Sequence, residues 1–432
     1  MEFVCQKSQL QGSVAIPGSK SHTIRGLFIG ALAPPTTTLQ GPLESADTRA
    51  ALNAIRALGA SVEEHDDQWI IHGCDHMLKP MQDTIDLGNS GTTLRLLLGL
   101  GSLLSEGEIV ITGDEQLQNR PCEGLVQALN ELGGSIASEN NNGRAPFRVK
   151  GGLRGGHTSL EANTSQYLSS LLLACPVAPE PTQIQVPLLN ESPYVQITLD
   201  WLEQQDIALE RDGMSFFSLP GGQRYKPFSS RIVGDFSSAS FFLAAGALPG
   251  NEVMCTGLDM GDSQPDKQIV EYLDRMGAET NIESGRILIR GTALKGTDID
   301  MNETPDALPI MAVVSCFAEG ETRLHNVAHA RLKETDRIRV MAEELPKFGA
   351  GVEELEDGLI IRPGPMEGAT VDGRGDHRVV MALTIAGLYA TGKTRVLTAE
   401  ATDITFPSFR SLMQAIGGNI TERQTVSSDY PH

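Results

Sequence analysis

The run from Asp86 to Gly101, DLGNSGTTLRLLLGLG, sets two glycines, Gly88 and Gly91, and the hydroxyls of Ser90, Thr92 and Thr93 directly before an apolar helix that carries one cation, Arg95. A helix start leaves its first backbone N–H groups unpaired and carries about half a unit of positive charge, so such a loop suits a phosphate or carboxylate. Taken alone, the run is equally an ordinary capped helix with Arg95 on the surface, but the design recurs. PGSKSHTIR, Pro17 to Arg25, puts Lys20 in a glycine loop and Arg25 about a turn into a second apolar helix that reads as buried on all sides. A buried guanidinium needs a partner, and a bound carboxylate would supply one. NRPC, Asn119 to Cys122, follows a strand, and TSQY, Thr164 to Tyr167, opens a helix with two hydroxyls and an amide, as a cap or as ligands. Asp306 stands at the start of a further apolar helix, where the dipole would keep a carboxylate ionised and available as a base. The densest constellation is RLKETDR, Arg331 to Arg337: on a helix, Lys333 and Arg337 would share a face with Glu334 beside them. GDHR, residues 375–378, adds Arg378 at the start of the last apolar helix.

The elements that position these loops form a repeat. An amphipathic helix, a tight break and a strand pair recur six times, at Ala51, Leu125, Ile197, Ile269, Val340 and Ser411. In five copies a glycine ends the helix, as a left-handed cap requires, and Asp206 marks the exception. A more apolar helix precedes each copy, starting at Ser21, Ser90, Ser165, Ser237, Thr304 and Asp376, at intervals of 69, 75, 72, 67 and 72 residues. One such unit is too small to bury its own core, so units must pack in groups around shared helices. The expected architecture is α/β (α+β), two domains of three βαβαββ-type units each, packed around buried parallel helices like an inside-out barrel. The polar segment Gly221 to Ser230 reads as the linker, which gives one domain over 19–228 and a second over 1–18 plus 229–432. The last copy lacks its final strands, so the amino-terminal strands are expected to complete it.

Composition narrows the function. A formal charge of -21 over 432 residues opposes nucleic acid or an acidic membrane surface as partner, while the cations that do exist collect at helix starts. Small anionic substrates are the partners that this pattern fits. The six cysteines form no CxxC pair, the amino terminus has no signal-peptide pattern, and no apolar run approaches the ~20 residues of a membrane span, so a cytoplasmic protein is expected. There is no HExxH, no paired Cys and His spacing, and no GxGxxG after a strand, so neither metal nor cofactor is expected.

In this order, GSKSHTIR, LGNSGTTLR, NRP, TSQ, SPYVQIT, TPDA, RLKETDR and GDHR resemble the 5-enolpyruvylshikimate-3-phosphate synthase family across nearly the whole chain. The resemblance implies two three-repeat domains that close on substrate like a clamp, with the active site in the cleft between them. The reaction it implies moves the enolpyruvyl group of phosphoenolpyruvate to the 5-hydroxyl of shikimate 3-phosphate and releases phosphate, a step of the shikimate pathway toward chorismate and aromatic amino acids. By the same resemblance the catalytic residues are Asp306, which takes the hydroxyl proton, and Glu334 and Lys20, which handle proton transfer at the enol. Phosphoenolpyruvate would be held by Lys20, Asn89, Gly91, Thr92, Arg120, Gln166, Arg337 and Arg378. Shikimate 3-phosphate would be held by Lys20, Ser21, Arg25, Thr164, Ser165, Gln166, Tyr194, Asp306 and Lys333. A monomer is expected.

Three positions depart from the family pattern. Glu191 stands where a hydroxyl residue usually meets the acceptor phosphate, Ile404 where a lysine often lies near phosphoenolpyruvate, and His329 where asparagine is common. These leave open an enolpyruvyl transferase of the same fold acting on a different cyclic alcohol. The sister reading, transfer to a UDP-sugar, expects a reactive cysteine at the position that Glu115 occupies, and Cys122 lies on the other side of Arg120.

Overall fold

In the computed structural model, which describes residues 1–424, helices of seven or more residues are α1 (Lys20–Leu32), α2 (Ala46–Ala57), α3 (Gly91–Gly101), α4 (Glu123–Glu131), α5 (Ser165–Ala174), α6 (Ser192–Gln204), α7 (Phe236–Ala247), α8 (Ile269–Arg275), α9 (Leu308–Ser315), α10 (Arg337–Glu344), α11 (His377–Tyr389) and α12 (Phe409–Ala415). They alternate in kind. The odd-numbered helices are apolar on every face and are therefore buried whole: α3, α7 and α9 at every residue, α5 at all but Gln166 and α11 at all but Tyr389. The even-numbered helices bury one stripe only, as α4 does with Leu125, Ala128 and Leu129. Each even helix ends in a left-handed residue: Gly59, Gly133, Gly277, Gly349 and Gly417 have φ between 96° and 104°, and Asp206 adopts 55° without a glycine.

Among the described residues the strands form six separate four-stranded sheets, and none closes into a barrel. All six are built alike. In the second, Thr84–Asp86 pairs parallel with Glu108–Thr112, which pairs antiparallel with Phe147–Lys150, and that strand pairs antiparallel with Ser135–Ser138. A parallel pair needs a crossover, and in the second, third, fifth and sixth sheets the odd helix supplies it, which sets those helix starts beside the carboxyl end of the leading strand.

The chain divides into two compact units, Pro17–Val233 in one, and Met1–Ile16 with the chain from Gly234 onward in the other. Each has a single core, the first around α1, α3 and α5, the second around α7, α9 and α11. The crossings fall at 16/17 and 233/234 rather than at 18/19 and 228/229. Ser229–Arg231, at the end of the segment read as linker, is a strand that pairs parallel with Thr37–Gln40 and so leads the first sheet. In the other unit Gln11–Ala15 leads the fourth sheet beside Glu252–Thr256. Glu2–Gln6 enters the sixth sheet between Lys393–Leu397 and Asn419–Arg423, the strand that the last copy lacks.

Candidate active site

In the unit built on α1, α3 and α5, the polar loops do collect cations at helix starts. Ser19 caps α1, its hydroxyl accepting from the His22 N–H, which fixes Lys20 as the first helical residue. The Lys20 Nζ lies 3.1 Å from Asp47 Oδ2. One turn on, Arg25 is 2% exposed and donates to Thr198 Oγ1 at 2.8 Å, the Ser21 carbonyl at 3.0 Å, the Tyr194 carbonyl at 3.1 Å and Ser169 Oγ at 3.4 Å. No carboxylate among the described residues lies within ion-pair distance of it. Burial consequently pushes its pKa down to about 10, which still leaves it charged at neutral pH. A cation held by neutral acceptors alone is poised for an anionic ligand.

The loop before α3 organises a second set. Arg120 Nη2 donates to Asn89 Oδ1 at 2.8 Å, and Asn89 Nδ2 is anchored on Asp114 and Gln116 at 2.8 and 2.7 Å. Arg95 Nη1 donates to Gln166 Oε1 at 2.7 Å, and Gln166 Nε2 reaches Thr92 Oγ1 at 3.0 Å, which ties α3 to α5. Gly91 leaves room for both guanidinium groups: a Cβ there would sit 2.2 Å from Arg120 Nη1 and 2.9 Å from Arg95 Nη1, so the two side chains would have to move. Asn89, Gly91, Thr92, Arg120 and Gln166 therefore form one contiguous group. Thr164 caps α5 and Ser165 opens it, and both bind the carboxylate of Glu191, which is buried and turned inward. Cys122 is buried and its thiol is pushed up by burial, and Glu115 opens a short turn of helix.

In the other unit, Asp306 takes Arg337 Nη1 on Oδ1 at 2.6 Å and Arg378 Nη2 on Oδ2 at 2.9 Å, with Lys333 Nζ at 4.0 Å. Arg337, 1% exposed, also bonds Glu334 Oε2 at 2.6 Å and Asp376 Oδ2 at 2.8 Å. Burial by itself would raise the Asp306 carboxyl, but Arg378, Lys333 and Arg337 outweigh it and hold the group well below the usual carboxylate range, against a smaller push upward from Glu334. The cations matter here far more than the helix start. Asp306 lies in a single 3-10 turn, Pro305–Ala307, ahead of α9.

The expected helix through RLKETDR is not there. Ala328–Leu332 forms a 3-10 turn, Lys333 is extended at φ -86° and ψ -153°, and Asp336 caps α10, which begins only at Arg337. Lys333 and Arg337 share a target in Asp306, not a helix face. The fourth apolar-helix start carries carboxylates in place of a cation. There Asp235 caps α7 and Asp266 accepts from Ser237 Oγ at 2.6 Å. His329 donates its Nε2–H to the Asn302 carbonyl at 3.1 Å, and Ile404 packs partly buried on the core. Sequence reasoning passed over Asp47, Ser169, Thr198 and Asp376, the partners that hold Lys20, Arg25 and Arg337. Asp376 alone left a signal, as an aspartate directly before an apolar helix, the pattern of an N-cap.

Two units of three βαβαββ repeats, with buried cations at apolar-helix starts and one carboxylate clasped by three cations, define a class of protein suited to small polyanions. A family model described as EPSP synthase (3-phosphoshikimate 1-carboxyvinyltransferase) matches residues 4–413. A 3-phosphoshikimate 1-carboxyvinyltransferase of Acetivibrio thermocellus is 48% identical over 416 residues, covering 96% of this chain and 98% of the relative, and one of Methanocella arvoryzae is 42% identical over 418 residues, covering 96% and 98%. A solved EPSP synthase of Acinetobacter baumannii has the same fold, with a TM-score of 0.82 at 29% identity over 98% of this chain and 100% of that one. The chain belongs to the EPSP synthase family.

Proposed function

We infer that this protein transfers the enolpyruvyl group of phosphoenolpyruvate to the 5-hydroxyl of shikimate 3-phosphate and releases phosphate. The observation that carries the reading, beyond family membership, is the Asp306 cluster: an ionised carboxylate held by Arg337 and Arg378 with Lys333 alongside. In the addition step the acceptor oxygen bonds to C2 of phosphoenolpyruvate while C3 gains a proton. In the elimination step phosphate leaves C2, a methyl proton is lost and the enol ether forms. The first step needs a base at the hydroxyl, an acid at C3 and cations for the phosphates and carboxylates.

Asp306 is the base. In the free protein its cations make it a weak one. Substrate anions that draw Arg337, Arg378 and Lys333 toward themselves loosen that hold and raise its basicity when the hydroxyl arrives. Glu334 and Lys20 exchange the proton at C3. Asn89, Gly91, Thr92, Arg120, Gln166, Arg337 and Arg378, with Lys20, hold phosphoenolpyruvate. Ser21, Arg25, Thr164, Ser165, Tyr194 and Lys333 hold the acceptor. A cytoplasmic location and a monomeric chain belong to the same reading, and six free cysteines fit a reducing compartment; among the described residues no helix is long and apolar enough to cross a membrane.

The test is phosphate release from phosphoenolpyruvate, with shikimate 3-phosphate and unphosphorylated shikimate compared as acceptors. Asp306→Asn is expected to lower kcat by on the order of 10²- to 10⁴-fold, the range for removing a general base. Phosphoenolpyruvate affinity should hold or tighten, since the substitution frees Arg337 and Arg378 from an anion. A kcat within threefold of the wild type would remove Asp306 from the chemistry.

A further inference from the structure

The start of α5 is an anion cradle that the protein fills with its own carboxylate. Glu191 Oε2 accepts from Ser165 Oγ at 2.9 Å, from Thr164 Oγ1 at 3.1 Å and from the Ser165 backbone N–H at 3.3 Å. Two hydroxyls and a backbone N–H, at the positive end of a ten-residue buried helix, converge on one oxygen, as they would on a phosphate oxygen. The donor set and the burial of Glu191, 2% exposed, are those of a ligand site in use.

The backbone at Glu191 is left-handed, a conformation that does not favour a long side chain. In five of the six repeats, a left-handed residue follows the strand that pairs with the leading strand: Gly41, Glu191, Gly257, Asn326 and Thr398, with φ of 64°, 58°, 85°, 59° and 57°. Glycine and asparagine suit that conformation, and a long side chain with a Cβ is strained there. Glu191 also sits at the N-cap position of its own helix, α6, yet its side chain makes no capping bond there. It crosses to α5 instead. The Tyr194 carbonyl, one turn on, is an acceptor for the uncompensated Arg25, so this filled cradle adjoins the cation that awaits an anion.

We propose that Glu191 is the acceptor-selecting residue: its carboxylate occupies the anion cradle formed by Thr164 and Ser165, and a phosphorylated acceptor binds only by expelling it. The proposal rests on the transferase reading for the identity of the acceptor, but not for the cradle itself. Glu191 thereby weakens phosphate-bearing acceptors relative to neutral ones and leaves phosphoenolpyruvate untouched.

The experiment measures KM for shikimate 3-phosphate, shikimate and phosphoenolpyruvate in the wild type, Glu191→Ser and Glu191→Gln. It also measures binding of inorganic phosphate by calorimetry on protein saturated with phosphoenolpyruvate. Expected is a tenfold or greater fall in the KM for shikimate 3-phosphate in the serine variant and a smaller fall in the glutamine variant. Phosphate binding should tighten in parallel, with KM for phosphoenolpyruvate within twofold of the wild type. Glu191→Gly, which suits the left-handed backbone, replaces the serine variant if that one does not fold. Unchanged or weakened phosphate binding in folded variants would overturn the proposal. Tightened phosphate binding in a protein that turns over neither acceptor would support the cradle and count against the transferase reading instead.

Discussion

Arg25 and Arg337 are both buried guanidinium groups, and their surroundings assign them opposite energetic roles. Arg337 has three carboxylates, Asp306, Glu334 and Asp376, which together raise its pKa well above the usual value against the cost of burial. Arg25 has only hydroxyls and carbonyls, and Thr198 Oγ1 and Ser169 Oγ already bond each other at 2.9 Å. Arg25→Met should therefore leave stability unchanged or slightly raised, within about 1 kcal/mol, because it removes an uncompensated charge of similar volume. The same variant should raise acceptor KM by at least tenfold, and urea unfolding set beside kinetics checks both halves. Gly91→Ala acts on the neighbouring group, since its methyl would displace Arg120 and Arg95 from Asn89 and Gln166. A roughly tenfold rise in KM for phosphoenolpyruvate is expected, equivalent to about 1.4 kcal/mol, with a smaller change in kcat. The candidate side chains stood out in the sequence because glycines, hydroxyls and cations cluster at helix starts, and their roles came from the resemblance. Their partners were not: Asp47 and Thr198 lie far along the chain from Lys20 and Arg25, and only folding brings them within reach. Glu191 stood out as a departure from the family pattern, and only folding brings it to the start of α5.

At the scale of elements, helix type was written in periodicity, and the left-handed ends of the even helices were marked by glycine. Two elements escaped. Ser229–Arg231 is a polar strand of three residues without apolar alternation, held by backbone pairing to Thr37–Gln40, so nothing in its side chains announces it. RLKETDR has helical spacing but Asp336 caps α10 at its start, and a cap residue cannot also lie inside the helix it begins. The contact of α3 with α5, which the Thr92, Arg95 and Gln166 bonds span, passes through Gly99. A Cβ there would meet Ser170 Oγ at 2.6 Å, the Ser170 carbonyl at 2.8 Å and Ala174 Cβ at 3.3 Å. Alanine favours the helix by about 1 kcal/mol over glycine, while forcing two buried backbones apart costs about 1–3 kcal/mol. A hydroxyl can rotate away and a carbonyl cannot, so overpacking prevails. Gly99→Ala should lower stability by up to about 2 kcal/mol in urea unfolding. Adding Ser170→Ala should recover only part of it, because the carbonyl remains.

At the scale of the whole molecule, the repeat and the charge pattern were legible, and so was the chain's return, since a sixth copy short of its last strands needs one from elsewhere. What could not be read is how deeply the amino terminus is woven in. Phe3, 2% exposed, lies on a strand flanked on both sides in the sixth sheet, facing Val396 and Glu422 across the two ladders. Phe217, fully buried, holds the equivalent kind of position in the third sheet, opposite Ile184 and Arg211. Both tryptophans, Trp69 and Trp201, belong to the unit that contains Phe217, so indole fluorescence reports that unit alone while far-ultraviolet circular dichroism reports both. Each unit has its own core, and two-state unfolding is not the expectation for a chain built this way. Phe→Ala in a core costs about 3–5 kcal/mol. Phe3→Ala should bring forward a portion of the circular-dichroism transition and leave the tryptophan midpoint in place. Phe217→Ala should move the tryptophan midpoint and leave that portion behind. If both substitutions shifted both signals together, the two cores would unfold as one, and the first six residues would govern the stability of the whole chain.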